Sequence, residues 1–238
     1  MSNILVIGAT GDVGRGIVEI LLEHGHRVVG AARKAGRLEA LANALGHPPR
    51  FATVAGSLAS DAEAEALREA AQRLIAPLDA VVVSVNAPRQ SMGPILDKTT
   101  EEVASLVRQD LISHFTAARA FLPALTSGGT YVGIGGGTAD FLLPDGVYMS
   151  LGQAALRMMY RGIARETSDR PIHLRELIVA SVVNGASTRD AADPLWVTDR
   201  EIGEQVAAIV ADPGAFPETI QRISRRDASG KPLLSAGN

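Results

Sequence analysis

The chain of 238 residues has no cysteine, few aromatic residues and no excess of charge of either sign. The absence of cysteine excludes disulfide bonds and thiolate chemistry, and nothing indicates an oxidising compartment. The 23 basic residues against 26 acidic ones give no reason to expect a nucleic-acid or membrane partner. No apolar run approaches the roughly 18 residues that a membrane helix needs. No basic and apolar leader precedes the first predicted strand, so we expect no signal peptide and a cytoplasmic protein.

The remaining composition, 46% hydrophobic and 21% charged, is typical of a globular protein. The length is sufficient for one sizeable core, so we expect a single domain over residues 1–238. The five histidines are scattered and show no spacing typical of metal ligands, so no metal site is predicted.

Short apolar runs alternate with amphipathic helical patterns along the whole chain. Thr99–Glu102 and Thr198–Glu201 are capping boxes that predict helix starts, and Asp61 is a predicted N-cap. Strands are predicted at 4–7, 27–32, 51–54, 80–85, 131–134, 172–179 and, weakly, 220–223. This alternation predicts an α/β fold, a doubly wound parallel sheet with helices on both faces and ligand sites at the carboxyl ends of the strands.

Three glycines separate the first predicted strand from the first predicted helix, at positions 8, 11 and 14. Glycine lets the backbone turn tightly and approach a phosphate, and the first-turn amides of the helix then face that anion. The pattern predicts a nucleotide diphosphate, most simply a dinucleotide; the alternative is a tight turn without a ligand. The predicted binding residues are Gly8, Thr10, Gly11, Asp12, Val13 and Gly14.

The end of the second strand bears on the choice of cofactor. An acidic residue there suits the ribose hydroxyl of NAD, whereas a nearby arginine accommodates the extra phosphate of NADP. This strand ends in Ala31-Ala32 followed by Arg33 and Lys34, without a carboxylate. The sequence therefore favours NADP over NAD, unless Arg33 and Lys34 are simply solvated loop charges.

The glycine spacing and the segment that begins at Tyr148 resemble the short-chain dehydrogenase/reductase superfamily, specifically its extended and atypical members. The resemblance covers nearly the whole chain and implies a Rossmann fold, hydride transfer with a nicotinamide cofactor, and dimers or tetramers built through the helices after strands four and five. It also implies further cofactor contacts after the third and fourth strands, at Ser57, Leu58, Asn86 and Ala87.

The positions that carry catalysis in this superfamily depart from its pattern. Family members use a tyrosine and a lysine four residues later, a serine about 13 residues before the tyrosine, and an asparagine in the preceding long helix. Here Tyr148 is kept, but the lysine position is Gly152, the serine position lies nearest Gly135, and the asparagine position is Asp110.

The missing lysine matters because a phenol has a pKa of about 10 and handles protons near neutrality only if something lowers it. Gln153 lies one residue off the expected helical face, and Arg157 or Arg161 would have to reach back along the helix. Thr138 is the hydroxyl nearest in kind to the missing serine. Tyr148 is either a proton donor or a packed residue that preserves the ancestral shape.

Asp110 also leaves alternatives open: a proton donor, a contact for a cationic substrate, or a charge paired with Arg108 or Arg157. His114 follows it by one turn and is expected in the core or on the surface rather than in a pocket. By analogy with the family, residues 182–196 form a mobile lid in which Asn184, Pro194 and Trp196 shape an apolar pocket.

Two functions follow from these observations. The first is an NADP-dependent oxidoreductase acting on a small carbonyl, imine or alcohol substrate, with Tyr148 or Asp110 handling the proton. The second is a non-catalytic NADP(H)-binding protein, a redox sensor or partner subunit, and the incomplete catalytic set motivates it.

Overall fold

The structure is a computed structural model that describes residues 1–86, 93–227 and 229–237. The strands are β1 Asn3–Ile7, β2 Arg27–Ala32, β3 Phe51–Ala55, β4 Leu78–Val83, β5 Leu125–Gly136, β6 Ile172–Ala180, β7 Val183–Asn184, β8 Val197–Thr198, β9 Ile220–Arg226 and β10 Pro232–Ala236. The helices are α1 Asp12–Glu23, α2 Ala35–Ala44, α3 Asp61–Ile75, α4 Thr100–Val107, α5 Ser113–Phe121, α6 Val147–Glu166 and α7 Asp199–Ala211.

Eight strands form the main sheet, in the order β10-β9-β6-β5-β4-β1-β2-β3. All neighbours run parallel except the edge strand β10, which pairs antiparallel with β9. The chain winds outward from β1 to β3 and then returns to β4, directly beside β1. The strand order therefore reverses between β1 and β4, and in open α/β sheets ligands bind at the carboxyl ends of strands at such a point.

Helices cover both faces of the sheet, which confirms the predicted doubly wound Rossmann fold. On one face α3, α5 and α6 bury a cluster that includes Tyr131 and Phe121. On the other, α1 and α7 bury a cluster that includes Ile17 and Val206. The two helices of this second face approach so closely that a Cβ on Gly203 would lie 2.7 Å from the carbonyl oxygen of Gly16.

Most predicted elements are present, and both capping boxes are confirmed. The predicted N-cap at Asp61 is wrong, because Ser60 takes that place and accepts the amide of Glu63 through its hydroxyl. The antiparallel strand β10 was not predicted. No helix in the described ranges is long and apolar enough to span a membrane.

The long helix predicted after Thr99 is interrupted by a π-helical segment, Arg108–Ile112, between α4 and α5. The wider turn of a π segment changes which side chains face a neighbouring helix, and such segments often occur at functional sites. Here it turns Asp110 towards α6.

Candidate active site

The glycine loop joins β1 to α1 in the backbone conformation that the sequence predicts. Gly8 has a φ of 87°, in the left-handed region that favours glycine, and a side chain there would overlap the carbonyl oxygen of Ser84. A Cβ on Gly14 would lie 2.8 Å from the carbonyl carbon of Gly8. A glycine is therefore required at position 8, where the loop passes the chain after β4, and at position 14, where α1 packs on the loop.

Gly11 differs from the other two glycines. It is the N-cap of α1 in extended backbone, and a Cβ there would meet only the Gly8 carbonyl oxygen at 3.6 Å. The loop itself does not require a glycine at this position. The amides of Asp12, Val13 and Gly14 belong to the first turn of α1, where amides have no partner within the helix. This cradle, with no side chain at the N-cap, fits a pyrophosphate.

Asp12 also ties the loop to a distant segment. Its carboxylate accepts the amide of Ser187 at 3.1 Å and the hydroxyl of the same residue. A Cβ on the neighbouring Gly185 would lie 2.5 Å from Cβ of Asp12. The loop after β7 is thus packed on the start of α1, at the edge of the phosphate cradle.

That loop belongs to the predicted lid, residues 182–196. Its two ends are held together, because β7 pairs in parallel with β8. Asn184 and Trp196 are half-buried, whereas Pro194 is exposed. The buried Oδ1 of Asn184 has no hydrogen-bond partner among the described residues.

At the carboxyl end of β2, Arg33 and Lys34 follow the strand and are exposed. A third cation, which sequence reasoning missed, joins them: Arg37 on α2 donates from Nη2 to the carbonyl oxygen of Thr10 at 2.8 Å. A cavity of about 400 Å³ lies beside these cations and is lined by Arg33, Ala55, Gly56, Ser57, Glu63, Ala66 and Leu67. Positive charge therefore lies between the glycine loop and this cavity.

The predicted contacts after β3 and β4 fall in different surroundings. The Ser57 hydroxyl lines the cavity and donates to Glu63 at 3.1 Å. Leu58 is buried in the core, and its carbonyl accepts the Thr116 hydroxyl at 2.7 Å. Asn86 is exposed just after β4, and Ala87 lies outside the described residues.

Tyr148 stands in the first turn of α6 with a side chain only 4% exposed. One turn later is Gly152, and a Cβ there would lie 3.0 Å from Oδ2 of Asp110. Asp110 is itself 3% exposed. A carboxylate therefore borders the space into which the family's lysine side chain would project.

Gln153 connects this carboxylate to β5. Its Nε2 donates to Oδ2 of Asp110 at 3.2 Å, and its Oε1 accepts the amide of Gly136 at 2.6 Å. Gln153 meets Asp110 from one residue beyond the Gly152 position, because the π segment brings Asp110 to its side of α6. The pairing of Asp110 with Arg108 or Arg157 is wrong, since these arginines bind Glu101 and Asp140.

The missing serine has a steric explanation as well. A Cβ on Gly135 would overlap Oε1 of Glu176, which stands on the neighbouring strand β6 and is 1% exposed. Burial raises the pKa of Glu176 to about 8, although Arg157 and Arg161 oppose the effect. Oε2 of Glu176 has no hydrogen-bond partner in the described part of the chain. Sequence reasoning did not identify this buried carboxyl group.

His114 lies in the core, as the sequence analysis favoured, and is fully buried. Burial lowers its pKa to about 4, so the ring is neutral. Its Nε2 donates to the carbonyl oxygen of Val85 at 2.8 Å, so Nδ1 accepts the hydroxyl of Tyr160 at 2.7 Å. This pair fixes the chain just after β4, beside the glycine loop.

A second cavity, of about 360 Å³, borders α6 and the loop after β5, including Thr138. Its lining residues on α6 include Val147, Leu151 and Ala154. Tyr148 and Gly152 are not among its lining residues. In the described residues, no group of three or more histidine, aspartate or glutamate side chains could hold a metal ion.

Comparison with known proteins agrees with this architecture. The sequence profile of the short chain dehydrogenase family matches residues 2–192. Since that match spans most of the chain, the protein belongs to the short-chain dehydrogenase/reductase family.

Similar solved structures share the fold at low sequence identity. A short chain oxidoreductase from Pseudomonas aeruginosa, described as containing an atypical catalytic center, superposes in its apo form with a TM-score of 0.82 at 21% identity, over 93% of this chain and 94% of that one. Its NADPH-bound form gives a TM-score of 0.81 at the same identity and coverage. A short-chain dehydrogenase/reductase described as glucose/ribitol dehydrogenase, from Brucella melitensis, gives 0.79 at 22% identity over the same shares.

Proposed function

We propose that this chain is an NADP(H)-dependent oxidoreductase that transfers a hydride between the cofactor and a small carbonyl, imine or alcohol substrate. The observation that carries the proposal is the buried Tyr148 one turn before Gly152, at whose Cβ position Oδ2 of the buried Asp110 lies 3.0 Å away. The cofactor, when bound, supplies or accepts the hydride. The side chains and backbone of the protein bind the nucleotide, orient the substrate and transfer one proton.

The nucleotide contacts follow from the residues at the switch point. The first-turn amides of Asp12, Val13 and Gly14 would hold the pyrophosphate, with Gly11 leaving room for it. Arg33 and Arg37 would hold the phosphate on the adenosine ribose, because a guanidinium binds phosphate through charge-assisted hydrogen bonds. No acidic side chain follows β2 directly to favour NAD instead.

A titration of the Arg33→Ala variant tests the cofactor preference. We expect it to bind NADPH about tenfold more weakly, because one phosphate contact is lost, and to bind NADH unchanged. Arg27→Ala is the matched control, since Arg27 is exposed at the opposite end of the same strand. Tighter binding of NADH than NADPH by the wild-type chain would overturn the preference.

Proton transfer is assigned to the side chains around Gly152. The Tyr148 phenol is the first candidate and the Asp110 carboxyl group the second. Gln153 fixes Asp110 from one side, and its second hydrogen bond to Gly136 ties the arrangement to β5.

A screen of aldehydes, ketones and imines for NADPH consumption tests turnover. In Tyr148→Phe we expect the rate to fall by about 100-fold or more, the usual contribution of a positioned general acid. If Tyr148→Phe retains the full rate while Asp110→Asn loses it, the proton comes from Asp110. The cofactor titration on the same variants separates loss of chemistry from loss of binding.

The second candidate function is a non-catalytic NADP(H)-binding protein. It is favoured by the glycines at 135 and 152, where carboxyl groups of Glu176 and Asp110 stand in place of the family's serine and lysine. A lysine at 152 would lie against Asp110, so the informative variant is Gly152→Lys combined with Asp110→Asn. Turnover by that variant alone, with a silent wild-type chain, would establish the non-catalytic function.

We also propose a cytoplasmic homodimer or homotetramer in which all 238 residues form one nucleotide-binding domain. The exposed side of α6 supports assembly through this helix, because Leu151 is 49% and Met158 63% exposed there. Phe141 and Leu142, in the loop before α6, are also exposed. An apolar surface of this kind is typical of an interface between subunits.

A further inference from the structure

Lys98 is held at a fixed place beside the site by the turn that precedes α4. Its amide donates to the carbonyl oxygen of Ile95 at 3.2 Å. The next residue, Thr99, is the N-cap of α4, and its capping box with Glu102 is complete. The base of the Lys98 side chain is therefore fixed on both sides.

The Lys98 ammonium is directed at the candidate proton donor. Its Nζ lies 5.4 Å from the centroid of the Tyr148 ring, within the range of a cation–π interaction. The side chain is half-buried, and a Cβ on Gly93 would lie 3.7 Å from Nζ. A partly desolvated cation acts more strongly on a neighbouring charge than an exposed one.

Carboxyl groups near Tyr148 and Lys98 disfavour a phenolate at Tyr148, so a neighbouring cation is needed to offset them. Asp110, on the π segment, borders Gly152, one turn along α6 from Tyr148. Glu102 interacts electrostatically with Lys98, and Asp97 precedes Lys98 in the chain. Arg157, which sequence reasoning considered as a substitute for the lysine, is instead engaged with Asp140 and the carbonyl of Ala139. Among the described residues, Lys98 is the cation placed over the ring.

We propose that Lys98, from the turn before α4, supplies the positive charge that the family places at position 152. It is a positioning residue that acts through Tyr148. When the phenol O–H bond breaks and its proton passes to the substrate oxygen, the ammonium stabilises the phenolate left behind; water then restores the proton. This inference rests on the proposed function, which assigns the proton to Tyr148.

A titration of tyrosinate absorbance tests the coupling without substrate or turnover. The chain has three tyrosines, and burial raises the pKa of Tyr131 and of Tyr160 far above the ordinary value. The transition that Tyr148→Phe removes is the one that belongs to Tyr148. We expect Lys98→Met to move this transition upward by about one pH unit, because the neighbouring positive charge is lost.

Lys98→Arg is the matched control, since it keeps the charge and should leave the transition near its wild-type position. The inference is overturned if Lys98→Met titrates like the wild-type chain, or if Lys98→Arg shifts as far as Lys98→Met. If the chain turns over, the pH dependence of the rate should shift in the same direction. A shifted transition in a chain without turnover supports the coupling and counts against the proposed function. An unshifted transition in an active chain overturns only the role of Lys98.

Discussion

Replacing Glu176 with glutamine is expected to stabilise the protein at alkaline pH by roughly 5 kcal/mol relative to the wild-type chain. Glu176 is 1% exposed on β6, and burial raises its pKa from 4.5 to about 8. The folded protein therefore keeps this carboxyl group neutral over a range in which the unfolded chain releases the proton. Glutamine is neutral at every pH and removes the difference.

The direction of the effect follows from proton linkage. Below pH 4.5 both states hold the proton and Glu176 costs nothing. Between pH 4.5 and about 8 the unfolded state binds fewer protons than the folded state, so stability falls as the pH rises. Above that range Glu176 lowers the free energy of unfolding by its full amount. His114 has the opposite sign, because its pKa is lowered to about 4 and its contribution is lost as the pH falls below 6.5.

Urea unfolding of both chains across this pH range gives the test. The difference between the two free energies of unfolding isolates Glu176, because His114 is common to both. Glu166→Gln, at the exposed end of α6, is the matched control and should leave the pH dependence unchanged. A difference that stays constant with pH would show that folding does not raise the pKa of Glu176.

The second large effect is expected at the glycine loop. Gly11→Ala should weaken NADPH binding by about 100-fold or more while the melting temperature stays close to that of the wild-type chain. The fold tolerates the methyl group, because the backbone at Gly11 is extended and the nearest atom is 3.6 Å away. A bound pyrophosphate would not, since it must approach the first-turn amides closely.

Two other substitutions control this measurement. Gly14→Ala should lower both stability and binding, because its methyl group overlaps the backbone at Gly8. Gly162→Ala, in an open position on α6, should change neither by much. Undiminished NADPH binding by Gly11→Ala would favour a tight turn whose glycines serve the fold alone.

The fold was predictable because its signals are local. The short apolar runs of β1, β2, β4 and β6 can be recognised in the sequence itself. The two capping boxes mark where α4 and α7 begin. Strand β10 gave no such signal, since Pro232 and two exposed leucines show no alternation and the strand exists only by pairing with β9. Its prediction required knowledge of the sheet edge.

The site was predictable only in part, because its side chains meet through packing. The loop glycines could be predicted, because a tight turn that approaches a phosphate closely requires glycine. The contacts of Lys98 and Gln153 could not be predicted, since Lys98 reaches Tyr148 from a separate turn and Gln153 meets Asp110 through a π segment. The glycines at 135 and 152 were noted as missing functional groups, but the carboxyl groups that border them come from β6 and from the π segment.

We propose that the amides at the start of α1 hold the pyrophosphate of NADP(H), and calorimetric titration of the wild-type chain with NADPH and with NADH tests this binding most directly. We expect saturable binding of one nucleotide per chain, with NADPH bound more tightly than NADH. The absence of binding heat with either nucleotide at several temperatures would contradict it.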